Sequence, residues 1–187
     1  MGKVIGILAG SLRKESFSKK IAKNILSFAP EGYEFRMISL DGLEVYNQDF
    51  DDEGPVPERY TVFRKEMNEV DGIIFITPEY NRSVPGVLKN ALDVGSRPYG
   101  QSVWDKKPAA VFSNSPGNIS AFGANHHLRQ CLVFLNMPAM QQPEVYIAKA
   151  NELFDDSGAL KEREQKKFIR EAVEAYIKWF EKTAEQK

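Results

Sequence analysis

The amino-acid sequence predicts an α/β fold, in which a parallel sheet of five strands in the order 2-1-3-4-5 carries helices on both faces. Short apolar runs of strand length alternate along the chain with segments whose apolar residues recur at helical spacing. The first and third runs are continuously apolar, which is typical of parallel strands buried on both faces. Parallel neighbours need crossover connections, and the helical segments supply them.

The strands are predicted from apolar and β-branched runs. Val4-Ile5-Gly6-Ile7-Leu8 opens the chain, and Ile73-Ile74-Phe75-Ile76 forms the middle of the third run. The five predicted strands are Val4–Leu8, Phe35–Leu40, Gly72–Thr77, Pro108–Phe112 and Glu144–Ile147.

The helices are predicted from apolar residues three and four positions apart. The first carries Phe17, Ile21, Ile25 and Phe28 and stops at Pro30, which disfavours its continuation. The others are Glu58–Glu69, a segment containing Val87–Val94, one from about Ser120 to Asn136, and a last one with an apolar stripe from Phe168 to Phe180. Segment 41–58 holds seven acidic residues and no basic one. It is long for a connection, so it is either a functional edge or mobile.

Composition and charge limit the function classes. The 187 residues suit one domain spanning residues 1–187. The 25 Lys and Arg against 26 Asp and Glu disfavour a binder of duplex DNA or of a membrane surface, because both need an excess of positive charge. One cysteine excludes an intrachain disulfide, and no apolar run is long enough to span a membrane. We therefore predict a cytoplasmic protein without a nucleic-acid or membrane partner.

Function is predicted in the loops after strands 1, 3 and 4, because ligands of such sheets bind at the carboxyl ends of the strands near the switch point. The first loop, Gly10–Ser18, carries three hydroxyls, Arg13 and free N–H groups at a helix N-terminus, which are the parts of an anion site. Alternatively, Ser16 only caps the helix. The loop matches neither common phosphate-binding glycine motif.

The other two loops are rigid or small. Thr77–Gly86 contains two prolines and suits the polar edge of a planar heterocycle, or else forms only a rigid turn. Ser113–Ser120 is small and polar, and Gly117 permits a ligand to approach the backbone, unless the segment is an ordinary connection capped by Ser120. Each loop is ambiguous alone, and their convergence is the argument for a site.

Two motifs point to a family. Gly10-Ser11-x-Arg13-x-x-Ser16 is followed by Pro78-Glu79-Tyr80-Asn81-x-Ser83-x-Pro85-Gly86-x-Leu88-Lys89-Asn90-Ala91-x-Asp93. Over nearly the whole chain the sequence resembles the NADPH-dependent FMN reductase family, and most of all its bacterial quinone or chromate reductases and azoreductases. The resemblance implies a flavodoxin-like fold with non-covalent FMN. It departs from some members at Gly123 and His126, where those members carry Arg and Tyr near a subunit contact.

The resemblance also implies the site residues. Ser11, Arg13, Ser16 and Ser18 are expected to hold the phosphate, with Phe17 in the same cofactor-binding loop. Pro78, Glu79, Tyr80 and Asn81 are expected to line the isoalloxazine, largely through backbone groups, and Ser113, Ser115 and Gly117 to close the other ring edge.

The function this implies is NAD(P)H-dependent reduction of quinones, azo compounds, flavins or chromate-like acceptors by a ping-pong cycle. The flavin carries the hydride chemistry, so no catalytic side chain is expected. A homodimer or homotetramer is expected as well. Two alternatives stay open: a flavodoxin-type electron carrier without NAD(P)H activity, and a non-flavin hydrolase or regulatory domain. The hydrolase lacks support because Gly-x-Ser-x-Gly is absent.

Several residues have ordinary structural interpretations. Adjacent helical residues point about 100° apart, so His126 and His127 are not expected to share a metal, and no metal site is predicted. Cys131 lies among leucines and is expected to pack as a small core residue. Trp104 and Trp179 are expected to pack rather than to stack on bases, because no basic stripe accompanies them.

Overall fold

Five parallel strands form one sheet in the order β2-β1-β3-β4-β5, in a computed structural model that describes residues 2–184. The strands are β1 (Lys3–Ala9), β2 (Tyr33–Ile38), β3 (Gly72–Thr77), β4 (Ala109–Asn114) and β5 (Val145–Ile147). The predicted strand order is confirmed. Because the crossover after β1 leads to β2 and the crossover after β3 leads the other way, a crevice opens at the carboxyl ends of β1 and β3.

The connections are helical, as predicted, and several element boundaries differ from the prediction. The helices are α1 (Phe17–Ile25), α2 (Asp49–Asp52), α3 (Glu58–Asn68), α4 (Gly86–Gly95), α5 (Phe122–Phe134) and α6 (Glu164–Ala184). A 3-10 turn, Leu26–Phe28, follows α1 ahead of Pro30. β2 begins earlier than predicted because its register is set by β1, from Lys3 opposite Tyr33 to Leu8 opposite Ile38.

The acidic segment 41–58 is fixed to the helices beside it. Asp51, in the unpredicted helix α2, accepts two hydrogen bonds of 2.7 Å from the guanidinium of Arg64 in α3. The Asp51 side chain is only 2% exposed, and a carboxylate is buried this deeply when it is paired. Asn90 of α4 accepts from the Tyr46 amide and donates to the Glu44 carbonyl, at 2.7 and 2.8 Å. The segment therefore packs along α3 and α4.

Alternate residues of the central strands face two separate cores. Ile5, Ile7 and Ile74 pack beneath α1 and α6 on one face of the sheet. Leu8 and Phe75 pack beneath α3, α4 and α5 on the other face. Both faces of the sheet are covered, as the continuous apolar runs predict.

Both tryptophans pack against the cores of the fold, as predicted. Trp104 is fully buried, with its ring centroid 6.0 Å from those of Phe63 and Phe75. Its indole N–H donates to the Leu92 carbonyl at 2.9 Å, so the one polar atom of the side chain is satisfied. Trp179 of α6 packs at the edge of the other core.

The last helix is tied to the amino end of the sheet. The Tyr176 hydroxyl donates to the Pro108 carbonyl at 2.9 Å, and burial raises the pKa of this hydroxyl. A side chain at Gly72 would collide with the Tyr176 hydroxyl and with the Phe180 ring, so glycine lets α6 lie directly on β3. None of the helices in residues 2–184, α6 included, is long and apolar enough to cross a membrane.

Candidate active site

An open cleft lies at the carboxyl ends of β1, β3 and β4, where the three loops meet. Its lining comprises Ser11, Arg13, Ser16, Phe17, Ser18, Pro78, Glu79, Tyr80, Asn114, Ser115 and Pro116. Nine of the twelve predicted cofactor-binding residues are among these. The topology therefore brings the three loops to one place, as the sequence predicts.

The first loop leaves β1 at Gly10, which lies against β3 and α4. The Gly10 amide donates to the Ile76 carbonyl at 2.8 Å, which joins the end of β1 to β3. A Cβ at Gly10 would lie 2.9 Å from Leu88 Cδ2 and 3.4 Å from Pro78 Cδ. The contact with Leu88 is shorter than real Cβ atoms make, whereas the distance to Pro78 is an ordinary van der Waals contact, so a larger residue at position 10 would displace the Leu88 side chain of α4.

Three hydroxyls of the first loop keep their hydrogens available for a ligand. Ser16 caps α1 by accepting from the Lys19 amide at 3.2 Å, and Ser11 accepts from the Arg13 amide at 3.4 Å. Ser18 accepts from the Asn114 side chain at 2.9 Å. Within residues 2–184 none of the three donates to a protein acceptor. Since a hydroxyl both donates and accepts, each can still donate to an anion.

The same loop offers positive charge. Among the described residues, the Arg13 guanidinium has no ion-pair partner and no hydrogen bond to a side chain or carbonyl. The first amides of α1 have no intrahelical acceptor, and the positive end of the helix dipole lies there. Ser16 is thus a helix cap and also a cleft residue, so the two interpretations of this loop are compatible. The donor set fits a phosphate.

The second loop forms a tight hairpin. Tyr80 and Ser83 exchange two backbone hydrogen bonds of 3.1 and 3.0 Å, and both intervening residues, Asn81 and Arg82, have positive φ angles of 51° and 65°. Such a two-residue turn favours Asn and Gly, and Arg adopts this conformation at a cost of about 1–2 kcal/mol. Tyr80 forms a half-exposed wall at the cleft. The two-residue turn therefore gives the loop that carries Tyr80 a rigid backbone.

The Glu79 carboxylate points away from the solvent and toward α5. Its Oε2 accepts from the Ala124 amide at 3.0 Å, and its Oε1 lies 3.5 Å from the Arg82 guanidinium. The helix begins after Ala121, which has a positive φ of 61° and makes no side-chain cap. Glu79 therefore supplies, from another loop, the acceptor that the N-terminus of α5 lacks locally.

Asn114 is a cleft residue that the sequence analysis missed. Its side-chain nitrogen donates to Ser18 Oγ at 2.9 Å and to the Thr77 carbonyl at 3.3 Å. One amide thus joins α1, the end of β3 and the end of β4 beneath the cleft. The only local signal was a polar residue directly after a buried strand.

Three predicted residues do not line the cleft. Asn81 lies exposed in the hairpin turn, and Gly117 lies exposed in the third loop. Ser113 is fully buried, and its hydroxyl accepts from Asn125 Nδ2 at 3.1 Å and donates to the Val145 carbonyl at 3.4 Å. Ser113 faces the interior because β4 continues to Asn114, beyond the predicted end at Phe112.

The two histidines have separate partners. His126 Nε2 lies 2.9 Å from the Tyr146 hydroxyl, and His127 Nδ1 lies 3.0 Å from Ser83 Oγ. No group of three or more His, Cys, Asp or Glu side chains suited to a metal ion occurs in residues 2–184. Cys131 is half-buried against the core, and burial raises the pKa of its thiol.

A family model described as NADPH-dependent FMN reductase matches residues 3–152, which contain all three loops of the cleft. The chain belongs to the NADPH-dependent FMN reductase family. Membership confirms the flavodoxin-like fold and the interpretation as an oxidoreductase that uses FMN, with NAD(P)H as the co-substrate. It favours this interpretation over both the electron carrier and the non-flavin hydrolase or regulatory domain.

Relatives within the family include named enzymes. A "Quinone reductase" from Pseudomonas putida is 50% identical over 175 residues, covering 94% of this chain and 93% of the relative. A "2-hydroxy-1,4-benzoquinone reductase" from Burkholderia sp. is 40% identical, covering 94% of each chain. The solved structure of FerB, a flavoenzyme NAD(P)H:(acceptor) oxidoreductase from Paracoccus denitrificans, has a TM-score of 0.89 at 36% identity and covers 97% of this chain and 98% of its own.

Proposed function

We propose that the protein reduces quinones with NAD(P)H, with FMN bound in the cleft of the three loops. The observation that carries the proposal is the pairing of an unsatisfied anion site, on the Gly10–Ser18 loop, with a rigid tyrosine wall at the same strand ends. FMN, when bound, supplies the hydride chemistry. The protein's part is to bind the cofactor, orient it and leave one face open.

The proposed roles follow from the donor groups that have no acceptor among the described residues. Ser11, Ser16 and Ser18 donate their hydroxyl hydrogens to the phosphate, and Arg13 donates charge-assisted hydrogen bonds. The backbone of Pro78–Tyr80 lines the ring system, and Ser115 lies across the cleft from it. The cleft contains no pair of titratable side chains free for acid–base work, because the Glu79 carboxylate is bound to Ala124 and Arg82.

Quinones are the proposed acceptors because both curated relatives reported above are named for quinone reduction. Azo compounds and chromate have no comparable support. One face open to solvent suits a cycle in which NAD(P)H and the quinone bind there in turn. One domain over residues 1–187 and a cytoplasmic location are proposed as well, the latter because a single cysteine suits a reducing compartment.

The first test is whether the purified protein carries FMN and turns over. We expect a flavin absorption spectrum and steady-state reduction of benzoquinone by NADPH or NADH. Varying both substrates should give parallel double-reciprocal lines, because the two compounds share one face. Intersecting lines would reject the shared face. Bound FMN without turnover from either nicotinamide would instead favour an electron carrier.

We also propose that the protein self-associates through α5. Phe122, His126 and Val133 are exposed and lie within about 40° of each other around the helix, at 100° per residue. In this stripe Val133 is 79% exposed, and Phe134, which is 87% exposed, lies next to it about 100° further around the helix. Exposed apolar side chains of this kind are typical of an interaction surface. The stripe starts beside the loop that carries Glu79, so a second copy there would lie next to the cleft.

Light scattering tests this assembly. The wild-type protein should give a mass of at least twice 21.2 kDa. The Val133→Glu variant should give 21.2 kDa, because association would bury an unpaired carboxylate in the interface. Val45→Glu is the matched control, since Val45 is 82% exposed on the segment beside α4. A wild-type mass of 21.2 kDa at working concentration would contradict the proposal.

A further inference from the structure

We propose that Glu79 is a positioning residue, whose carboxylate fixes the Pro78–Ser83 wall of the cleft to the N-terminus of α5. The proposal rests on the FMN site proposed above and adds the device that holds one side of it in place. The Glu79 side chain is 13% exposed, while the Arg82 side chain beside it is 73% exposed. Glu79 therefore faces the protein, although its neighbour Tyr80 faces the cleft.

The helix needs this acceptor. The first amides of a helix have no intrahelical partner, and Ala121 at the cap position has no side-chain oxygen to offer. The first turn of α5 contains no acidic residue either. The Glu79 carboxylate meets both needs, because it accepts from the Ala124 amide and places a negative charge at the positive end of the helix dipole.

The contact is close on both sides. A Cβ at Gly123 would lie 2.7 Å from the Arg82 carbonyl oxygen and 2.9 Å from Glu79 Oε2. In this chain the glycine at position 123 lets the hairpin lie directly on the first turn of the helix. A second hydrogen bond, between Ser83 Oγ and His127 Nδ1, joins the other end of the hairpin to the same helix.

Fixing the hairpin matters because its turn is strained. Asn81 and Arg82 both have positive φ, and residues in such conformations persist only when surrounding contacts determine them. Without the carboxylate, the strained turn is held to α5 by the Ser83–His127 bond, whose two side chains are partly exposed. The Tyr80 wall would then sample several positions, and a ring system bound against it would lose its fixed orientation.

Three variants test whether loss of the contact between Glu79 and the Ala124 amide weakens FMN binding. Glu79→Ala removes the acceptor, and Glu79→Gln keeps an oxygen for the Ala124 amide. Glu69→Ala is the control, because it removes a surface carboxylate paired with Arg36 away from the cleft. We expect Glu79→Ala to weaken FMN binding at least tenfold and to change the visible circular dichroism of FMN at saturation. We expect Glu79→Gln to stay within about threefold of wild type, and Glu69→Ala to match wild type.

Amide exchange of the FMN-free protein gives an independent measure. The Ala124 amide should exchange faster in Glu79→Ala but not in Glu79→Gln. Faster exchange without a change in FMN affinity or circular dichroism would overturn the proposal, since Glu79 would then be only a helix cap. If Glu79→Ala fails to fold, Gly123→Ala introduces a methyl into the same contact and should weaken FMN binding similarly. Normal FMN binding by a folded Gly123→Ala variant would overturn the proposal too.

The two proposals fail in different ways. A wild-type protein that binds no FMN would refute the proposed function itself. A wild-type protein that binds FMN, with Glu79→Ala binding it equally well and with an unchanged spectrum, would refute only the role of Glu79.

Discussion

Replacing Arg13 by alanine should weaken FMN binding by about 10- to 150-fold, which corresponds to the roughly 1.5–3 kcal/mol of a hydrogen bond to a charged group. Arg13 lies in the cleft beside the three serine hydroxyls, and its guanidinium is unpaired within residues 2–184. Removing it should therefore affect the anion and nothing in the fold. Titration of the FMN-free protein with FMN, followed by fluorescence quenching, measures the effect.

Two further variants identify the cause of the loss. Lys14→Ala removes the same unit of charge from an exposed position that does not line the cleft, and it should change the affinity little. Arg13→Lys keeps the charge but loses the planar fork, so an intermediate affinity is expected. Equal FMN affinity in wild type and Arg13→Ala would contradict the proposal that this loop binds the phosphate of FMN.

Replacing Trp104 by alanine should lower the free energy of unfolding by about 3–5 kcal/mol, as is usual when a large buried aromatic side chain is removed. The ring contacts Phe63 and Phe75, and an added Cβ at Gly95 would lie 2.6 Å from it, so the ring fills its space completely. Denaturant unfolding of the FMN-free protein, monitored by far-ultraviolet circular dichroism, provides the measurement.

The effect on binding should be small, because Trp104 lies near the amino end of β4 and the cleft lies at the carboxyl end. The folded Trp104→Ala protein should bind FMN with nearly wild-type affinity, which is the reverse of the pattern expected for Arg13→Ala. Trp179→Ala is the control, since Trp179 is only partly buried and should cost less stability. A loss below about 1 kcal/mol for Trp104→Ala would mean that the core collapses into the space left by the ring.

The parallel sheet could be predicted because its central strands are apolar runs that alternate with helical segments, and the order 2-1-3-4-5 could be predicted because it suits five such strands. Ile73–Ile76 has no polar residue, which is typical of a strand in a sheet that is covered on both faces. Strand ends were less predictable. The position of β2 depends on its pairing with β1, and β4 continues through Ser113 and Asn114, where polar side chains are satisfied by distant groups.

Much of the site could be predicted because it combines local signals with a topological rule. Ser16 and Arg13 lie where a strand turns into a helix, and the rule for parallel sheets states which loops meet there. The roles of Asn114 and of the Glu79 carboxylate could not be found this way. Their partners, Ser18 and Ala124, are 96 and 45 residues distant along the chain, and no local pattern encodes such contacts.

Helix α6 lies outside the residues that match the family model, yet it helps to cover one face of the sheet. The family model ends at residue 152, whereas α6 begins at Glu164. Ile169, Ala172 and Tyr176 of this helix are fully buried against the strands. A fragment cut after residue 152 would retain every loop of the cleft and α1, yet it would leave the part of the sheet that α6 covers open to water. Exposed faces of this kind promote aggregation, so the truncated fragment would precipitate before its cleft could be used.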